Sequence, residues 1–375
     1  SLRRTARDRT GSDMTTSERT WLKDPIAVLA EGAERGVVVE DGRITELVGK
    51  GAEPSHPVHK VFDASRHVVT PGLVNTHHHM FQTLTRAHPA AINKELFPWL
   101  QALFPIWAKN VNPDNLRLAT RLALTELLIS GCTTASDHQY LFPPGLDDAM
   151  DIQAEEAGKL GVRMTLTRGA LNLTTEEGGN ADQGAVQDTD VILADCERVI
   201  GRYHDASEGA MLQVALAPCA PFNVTKRLMV ETAALAEAHG IHFNDEEVMR
   251  LGRHGVGVSH CPTSNMVLAS GQCRTKELEA AGSPVGLGVD GSASNDNSNL
   301  MEGVRHALMI NRLTYNAESV THFDAFRWAT EGSARCLGRD DIGAIAVGKQ
   351  ADMALYTLDE LRFSGAGDPL AALVL

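Results

Sequence analysis

Three histidines stand side by side at residues 77–79, in the stretch "VVTPGLVNTHHHMFQ", just past an apolar run. Side chains on a β-strand alternate faces, so His77 and His79 point one way and His78 the other. Two imidazoles converging from one strand end make a half-site for zinc, which takes nitrogen ligands at about 2.0–2.1 Å. The H-x-H spacing alone leaves a histidine cluster on a surface loop equally open. Asp290 tips the balance. It closes the last apolar run, "VGLGVDGSASND", where a carboxylate facing the core is costly without a cation. A metal held by such a set makes water a nucleophile at neutral pH.

The elements that must position these residues alternate along the chain. Apolar β-like runs occur at "HVVTPGLVNT", "GCTTASDH", "GVRMTLTRGAL", "AMLQVALAP", "GVGVSHCP" and "GSPVGLGVDG". Between several of them lie helical patterns, such as "NPDNLRLATRLALTELLISG", which opens on Asn112 as a cap and closes on Gly131. Strand, helix and strand in repetition predict a parallel α/β sheet. Polar residues interrupt the runs at their C-terminal edges: His77, His79, Asp137, His138, Arg168, Cys219, His260 and Asp290. That rim is where a (β/α)8 barrel builds its active site. An open doubly wound sheet also binds ligands at its carboxyl ends, but no G-x-G-x-x-G follows the first strand. The barrel is the better reading.

Strands are also expected at both ends. "GVVVEDGRITELVG" reads as a hairpin turning at Asp41-Gly42, and "DIGAIAVGKQADMALYTLDE" has the same short-strand character. The predicted organisation is therefore α/β: a distorted (β/α)8 TIM-like barrel over 67–338, with a small β-sandwich domain formed from both termini, 21–66 and 339–375. Residues 1–20, polar and arginine-rich, read as a flexible start. "TTEEGGNADQG" (174–184) reads as a long surface loop.

Bulk composition narrows the function. A formal net charge of −14 argues against a nucleic acid polymer as partner, since phosphate binding needs a basic surface. It leaves a free base or other small heterocycle open. No run approaches the ~18 apolar residues that span a membrane, and no charged-then-apolar leader opens the chain. The six cysteines, at 132, 196, 219, 261, 273 and 336, form no C-x-x-C pair and suggest reduced thiols in a cytoplasm.

With these residues in view, the chain resembles the amidohydrolase superfamily, in its aminohydrolase branch of guanine deaminases and triazine hydrolases. The matching stretches are "PGLVNTHHH", "LAEAHGIHFND", "VSHCPTSNMVLASG", "GLGVDGSASND" and "IGAIAVGKQADMALY". "NTHHHMFQTLTRA", "FPWL", "GCTTASDHQYLFP" and "LAPCAPFNVT" are most similar to 8-oxoguanine deaminases. The resemblance implies one divalent metal ion, zinc above all, and hydrolytic deamination of a purine-type base, 8-oxoguanine to urate and ammonia. Guanine, hydroxytriazine or another heteroaromatic amine is the alternative substrate. A binding-only or inactive barrel is the alternative of another class. Carried over by position, His77, His79 and Asp290 become metal ligands, and Asp290 also accepts a proton from water. His239 becomes the catalytic histidine, and His260 lines the rim near the substrate. Relatives of this kind commonly assemble, which admits a homo-oligomer.

Substrate contacts are read from position. Gln82, three residues past His79, offers the donor and acceptor that a purine edge needs, or is only a polar helix start. Trp99 either closes over a planar ring or packs in the core. Arg168 binds a carbonyl oxygen or pairs with a carboxylate, and Cys219 touches substrate or only packs. Asp137 and His138 read equally as a rim hydrogen bond. Met80, Met266 and Met301 read as core.

One part of the pattern fails. The family needs a strand-five histidine ligand followed by a glutamate, H-x-x-E, and none lies between Pro218 and His239. Residues 219–255 number 37, whereas two further βα units need about 30 apiece. The expectation is that a segment is missing between about Leu235 and His239, leaving three protein ligands at most. A true deletion is the rival account. The chain also stops at "DPLAALVL", before the last strands the small domain should have.

Overall fold

The computed structural model describes residues 18–179, 181–220, 222–238 and 254–375. His239 and most of the expected flexible start therefore lie outside the described residues.

Near the N-terminus, β1 (Thr20–Lys23), β3 (Gly36–Glu40), β4 (Arg43–Val48) and β5 (Lys60–Asp63) form one sheet in the order β4-β3-β1-β5. The β3–β4 hairpin turns at Asp41 and Gly42, both at positive φ (50° and 74°), as a tight primed turn requires. A second sheet sets β6 (His67–Pro71) between β2 (Ala27–Val28) and β13 (Met353–Thr357), so the C-terminal strand closes onto the N-terminal region. Val37 and Ile44 of the first sheet meet Val69 of the second in one apolar cluster.

The run "HVVTPGLVNT" does not form one strand. It divides at Gly72: residues 67–71 serve the small sheet, and β7 (Leu73–Asn75) begins the barrel wall. The wall continues through β8 (Cys132–Gln139), β9 (Arg163–Ala170) and β10 (Leu212–Pro218), all parallel. On the other side of β7 come β12 (Val285–Leu287) and then β11 (Val258–His260). Thr76 N–H bonds the Leu287 carbonyl at 2.9 Å, and Asp290 N–H bonds the His77 carbonyl at 3.0 Å. The order around this TIM-like wall is β10-β9-β8-β7-β12-β11. Among the described residues six strands form it, and none lies between β10 and β11.

Helices pack outside. The first are α1 (Leu96–Asn110) and α2 (Pro113–Ile129), and α3 (Ala149–Leu160), α4 (Thr189–Tyr203) and α5 (Lys226–Ala238) follow. α2 starts where its capping chemistry dictates: the Asn112 side chain accepts from Asn115 N–H, and the Asn115 side chain accepts from Asn112 N–H. Its buried stripe of Leu116, Ala123, Leu124 and Leu127 joins Leu73 and Met80 in the main core. Each large apolar side chain buried this way contributes about 1.5–3 kcal/mol. Met266 departs from expectation. It is 46% exposed on the helix Pro262–Val267, whereas Met80 is fully buried.

Candidate active site

The three residues singled out by type converge. His77 Nε2 and His79 Nε2 stand 3.1 Å apart, and Asp290 Oδ1 lies 3.6 Å from the first and 3.3 Å from the second. Atoms about 2.0–2.1 Å from one tetrahedral centre are about 3.3–3.4 Å from each other. The three separations bracket that value. The donor set, two imidazoles and a carboxylate, therefore fits a single divalent cation.

Strand geometry explains the convergence. The run ends at the barrel mouth, with His77 on the inner side and His78 on the outer, where His78 Nε2 reaches Ser298 Oγ at 2.9 Å. Burial drives the His78 ring down to about 3, so it is neutral. Its Nδ1 accepts from His79 N–H at 2.8 Å, which locks the turn into the next residue. Asp290 is itself left-handed (φ 63°), and its side chain caps that kink by accepting from Gly291 N–H at 2.7 Å. Ser264 Oγ donates to its other oxygen at 2.7 Å. Burial pushes the Asp290 carboxyl up, but His79 and His77, with these two donors, outweigh it and hold it below the usual carboxylate range.

Asp137, on the outer side of β8, secures the turn beyond His79. It accepts from Met80 N–H and from Gln153 Nε2, both at 2.6 Å. On the inner side of the same strand, His138 stands at the mouth. Its ring lies near those of His77 and His79, and the three imidazoles form a possible metal-holding group. His138 Nε2 bonds the Ala217 carbonyl at 2.8 Å, and burial lowers its pKa to about 4.

A cavity of about 540 Å³ opens beside this cluster, with His77, His138, Thr167, Cys219 and Ser259 in its lining. Cys219 is thus at the site as a thiol, its pKa pushed up to about 12 by burial. Gln82 is 1% exposed, and its Oε1 has no hydrogen-bond partner among the described residues. His260, at the end of β11, is 2% exposed with both ring nitrogens unpartnered among the described residues, and burial brings it down to about 4.

Of the five expected contacts only Cys219 lines the cavity; Gln82 and His260 lie outside its lining, and Arg168 and Trp99 are engaged elsewhere. Thr165 and Thr167 face inward on β9, so Arg168 has the opposite parity and points to the helix layer. There it pairs with Asp195 at 2.9 Å, bonds Gln187 at 2.8 Å and lies 3.8 Å over the Phe142 ring. Trp99 is a core residue, edge-on to Trp107, with its indole N–H on the Ala293 carbonyl at 3.2 Å. Tyr140, one residue beyond β8, was missed. Its ring stands edge-on to His79 at 4.9 Å, and its hydroxyl meets Gln82. An aromatic residue after an apolar run reads as core, so the sequence carries no separate signal for it.

A sequence profile described as the amidohydrolase family matches residues 68–238 and 227–374. The chain belongs to the amidohydrolase family. It is 54% identical to the 8-oxoguanine deaminase of Pseudomonas aeruginosa, over 95% of this chain and 90% of that one. An isoxanthopterin deaminase from an unknown prokaryotic organism is 32% identical over 94% of this chain and 88% of its own. Among solved structures, the zinc-complexed atrazine chlorohydrolase of Arthrobacter aurescens TC1 superposes with a TM-score of 0.86. It is 26% identical, with 95% of this chain and 91% of that one covered.

Proposed function

We propose that this protein is a metal-dependent aminohydrolase that converts 8-oxoguanine and water to urate and ammonia. The observation that carries the reading is the 3.1–3.6 Å convergence of His77, His79 and Asp290, in a chain 54% identical to an 8-oxoguanine deaminase. Zinc is the ion we assign, supported by the zinc-complexed structural relative. When bound, the ion lowers the pKa of water and polarises the reacting centre.

The chain's own residues supply part of the remaining chemistry. Asp290 receives the water proton on its carboxylate and returns it to the departing amine. The water oxygen joins the ring carbon as the bond to the exocyclic nitrogen breaks, and ammonia leaves. His239 is assigned to the developing oxyanion. His242 lies three residues on, so parallel His239→Ala and His242→Ala variants identify the imidazole that acts. Gln82 is assigned to the edge of the base and Cys219 to the cavity wall. His260 is assigned to the rim, a reading supported by ring nitrogens that have no partner among the described residues.

We read a segment as missing between about Leu235 and His239, one that would carry the H-x-x-E ligand and proton shuttle. Two findings support this. The family profile matches in two overlapping pieces that meet at 227–238. The alignment to the Pseudomonas enzyme runs over 404 positions, more than the 375 residues here. Among the described residues β10 and β11 do not pair, which fits this reading. A second reading, for a chain short of the H-x-x-E residues, is a relative that binds its ligand without turnover.

Ammonia release from 8-oxoguanine, guanine and isocytosine, measured side by side with zinc supplied, tests the function. Fastest release from 8-oxoguanine is expected. Release from guanine alone would replace the substrate, and tight base binding with no release would favour the non-catalytic reading. The six free cysteines support a cytoplasmic place, and no described helix is long and apolar enough to cross a membrane. The homo-oligomer is retained as a proposal for sizing by light scattering.

A further inference from the structure

We infer that the Tyr140 hydroxyl is a positioning group for the Gln82 carboxamide, holding it so that one end is free to meet the base. The inference deepens the functional reading and rests on it.

A buried carboxamide normally has partners for both its oxygen and its nitrogen. Gln82 is 1% exposed, yet only Nε2 is engaged, donating to Tyr140 Oη at 3.5 Å. Oε1 has no partner. It lies against Gly291, where an added Cβ would come within 1.8 Å of it. Oε1 therefore sits over the residue that follows Asp290, beside the cluster of His77, His79 and Asp290. An acceptor left unsatisfied at that place suits a ring N–H of a heterocycle.

Tyr140 has the rigidity the role needs. It is 4% exposed, and its ring stands edge-on to His79 at 4.9 Å, Phe81 at 5.3 Å and His138 at 5.3 Å. Those contacts hold the ring, and through it the hydroxyl, without using the hydroxyl itself. Gln82 is the hydroxyl's one recorded hydrogen-bond partner among the described residues. The contact is long, at the limit for a hydrogen bond, and such contacts often tighten only when substrate is bound. With the hydroxyl removed, no other side-chain hydrogen bond among the described residues fixes which end of the carboxamide faces Gly291.

Tyr140→Phe keeps the ring packing and deletes only that anchor. The expected result is a rise in KM for 8-oxoguanine that lowers kcat/KM about 3- to 10-fold, the size of one neutral hydrogen bond. The kcat and the zinc content should stay within twofold. The discriminating measurement is the cycle with Gln82→Ala: in that background Tyr140→Phe should have no further effect, since the group it positions is gone. If turnover is absent, the same cycle is read on the dissociation constant of 8-oxoguanine by calorimetry. An equal loss in both backgrounds marks a packing role and overturns the inference alone, as does a Tyr140→Phe enzyme with wild-type KM. A wild-type protein that neither binds nor deaminates any of the three bases overturns the functional reading, and this inference with it.

Discussion

His79 Nδ1 lies 2.9 Å from the backbone carbonyl of His138. A carbonyl only accepts, so Nδ1 carries the proton and the Nε2 lone pair is left facing His77 and Asp290. Metal-ligating histidines are commonly held in this way, with the second nitrogen tied to an acceptor that fixes tautomer and ring orientation. The bond joins the end of β7 to the end of β8, so the orientation of the His79 ring depends on the pairing of two strands.

Asp290→Asn should remove both the anionic ligand and the proton acceptor while keeping the shape of the side chain. Metal content per chain, measured by elemental analysis, is expected to fall. Ammonia release is expected to drop by at least about 10²-fold, in the range for loss of a general acid–base group. Full metal content with full turnover would remove Asp290 from both roles.

Gly291→Ala tests how the site is filled. The new Cβ would lie 1.8 Å from Gln82 Oε1, so the carboxamide must move. Overpacking of this kind costs about 1–3 kcal/mol. Urea unfolding should show that loss, with a higher KM for the base. Gly291 has an ordinary φ of −72°, so an effect would come from the clash and not from backbone strain.

Arg168→Met separates a structural arginine from a substrate contact. The guanidinium is buried against Asp195, Gln187 and Phe142. Breaking a buried ion pair by removing one partner costs about 3–5 kcal/mol. The variant is expected to melt earlier while KM stays within twofold. A large rise in KM with unchanged melting would return Arg168 to the cavity.

His260 predicts a pH effect with a definite sign. Burial lowers its pKa to about 4 in the folded chain, against about 6.5 unfolded. Between those values the unfolded chain binds a proton that the folded chain does not, so its contribution to stability is lost as pH falls from 6.5 toward 4. Relative to His260→Asn, the wild-type protein should lose on the order of 1–2 kcal/mol between pH 6.5 and pH 5. Denaturant midpoints of the two proteins at each pH read this difference directly. A constant difference across the range would show that His260 is protonated alike in both states.

Much of the positioning was legible before any fold was known. The two-residue period of a strand separates His77 and His79 from His78. A carboxylate ending an apolar run marks Asp290, and Asp41-Gly42 and Asn112 declare a turn and a helix start by their own chemistry. These are local properties, decided by a residue and its near neighbours. Arg168 and Tyr140 were not legible in that way. A polar residue at a strand end faces inward or outward according to the register of that strand in the wall, and the pairing of β9 with β8 and β10 decided the outward face. Tyr140 acts through Gln82, which is 58 residues away along the chain. The unpartnered state of Oε1 and of both His260 nitrogens depends on everything packed around them. Residue type and spacing determined which groups can do the chemistry. Only the tertiary structure decided which of them meet, because a contact between distant segments follows from strand order and packing, which no local pattern encodes.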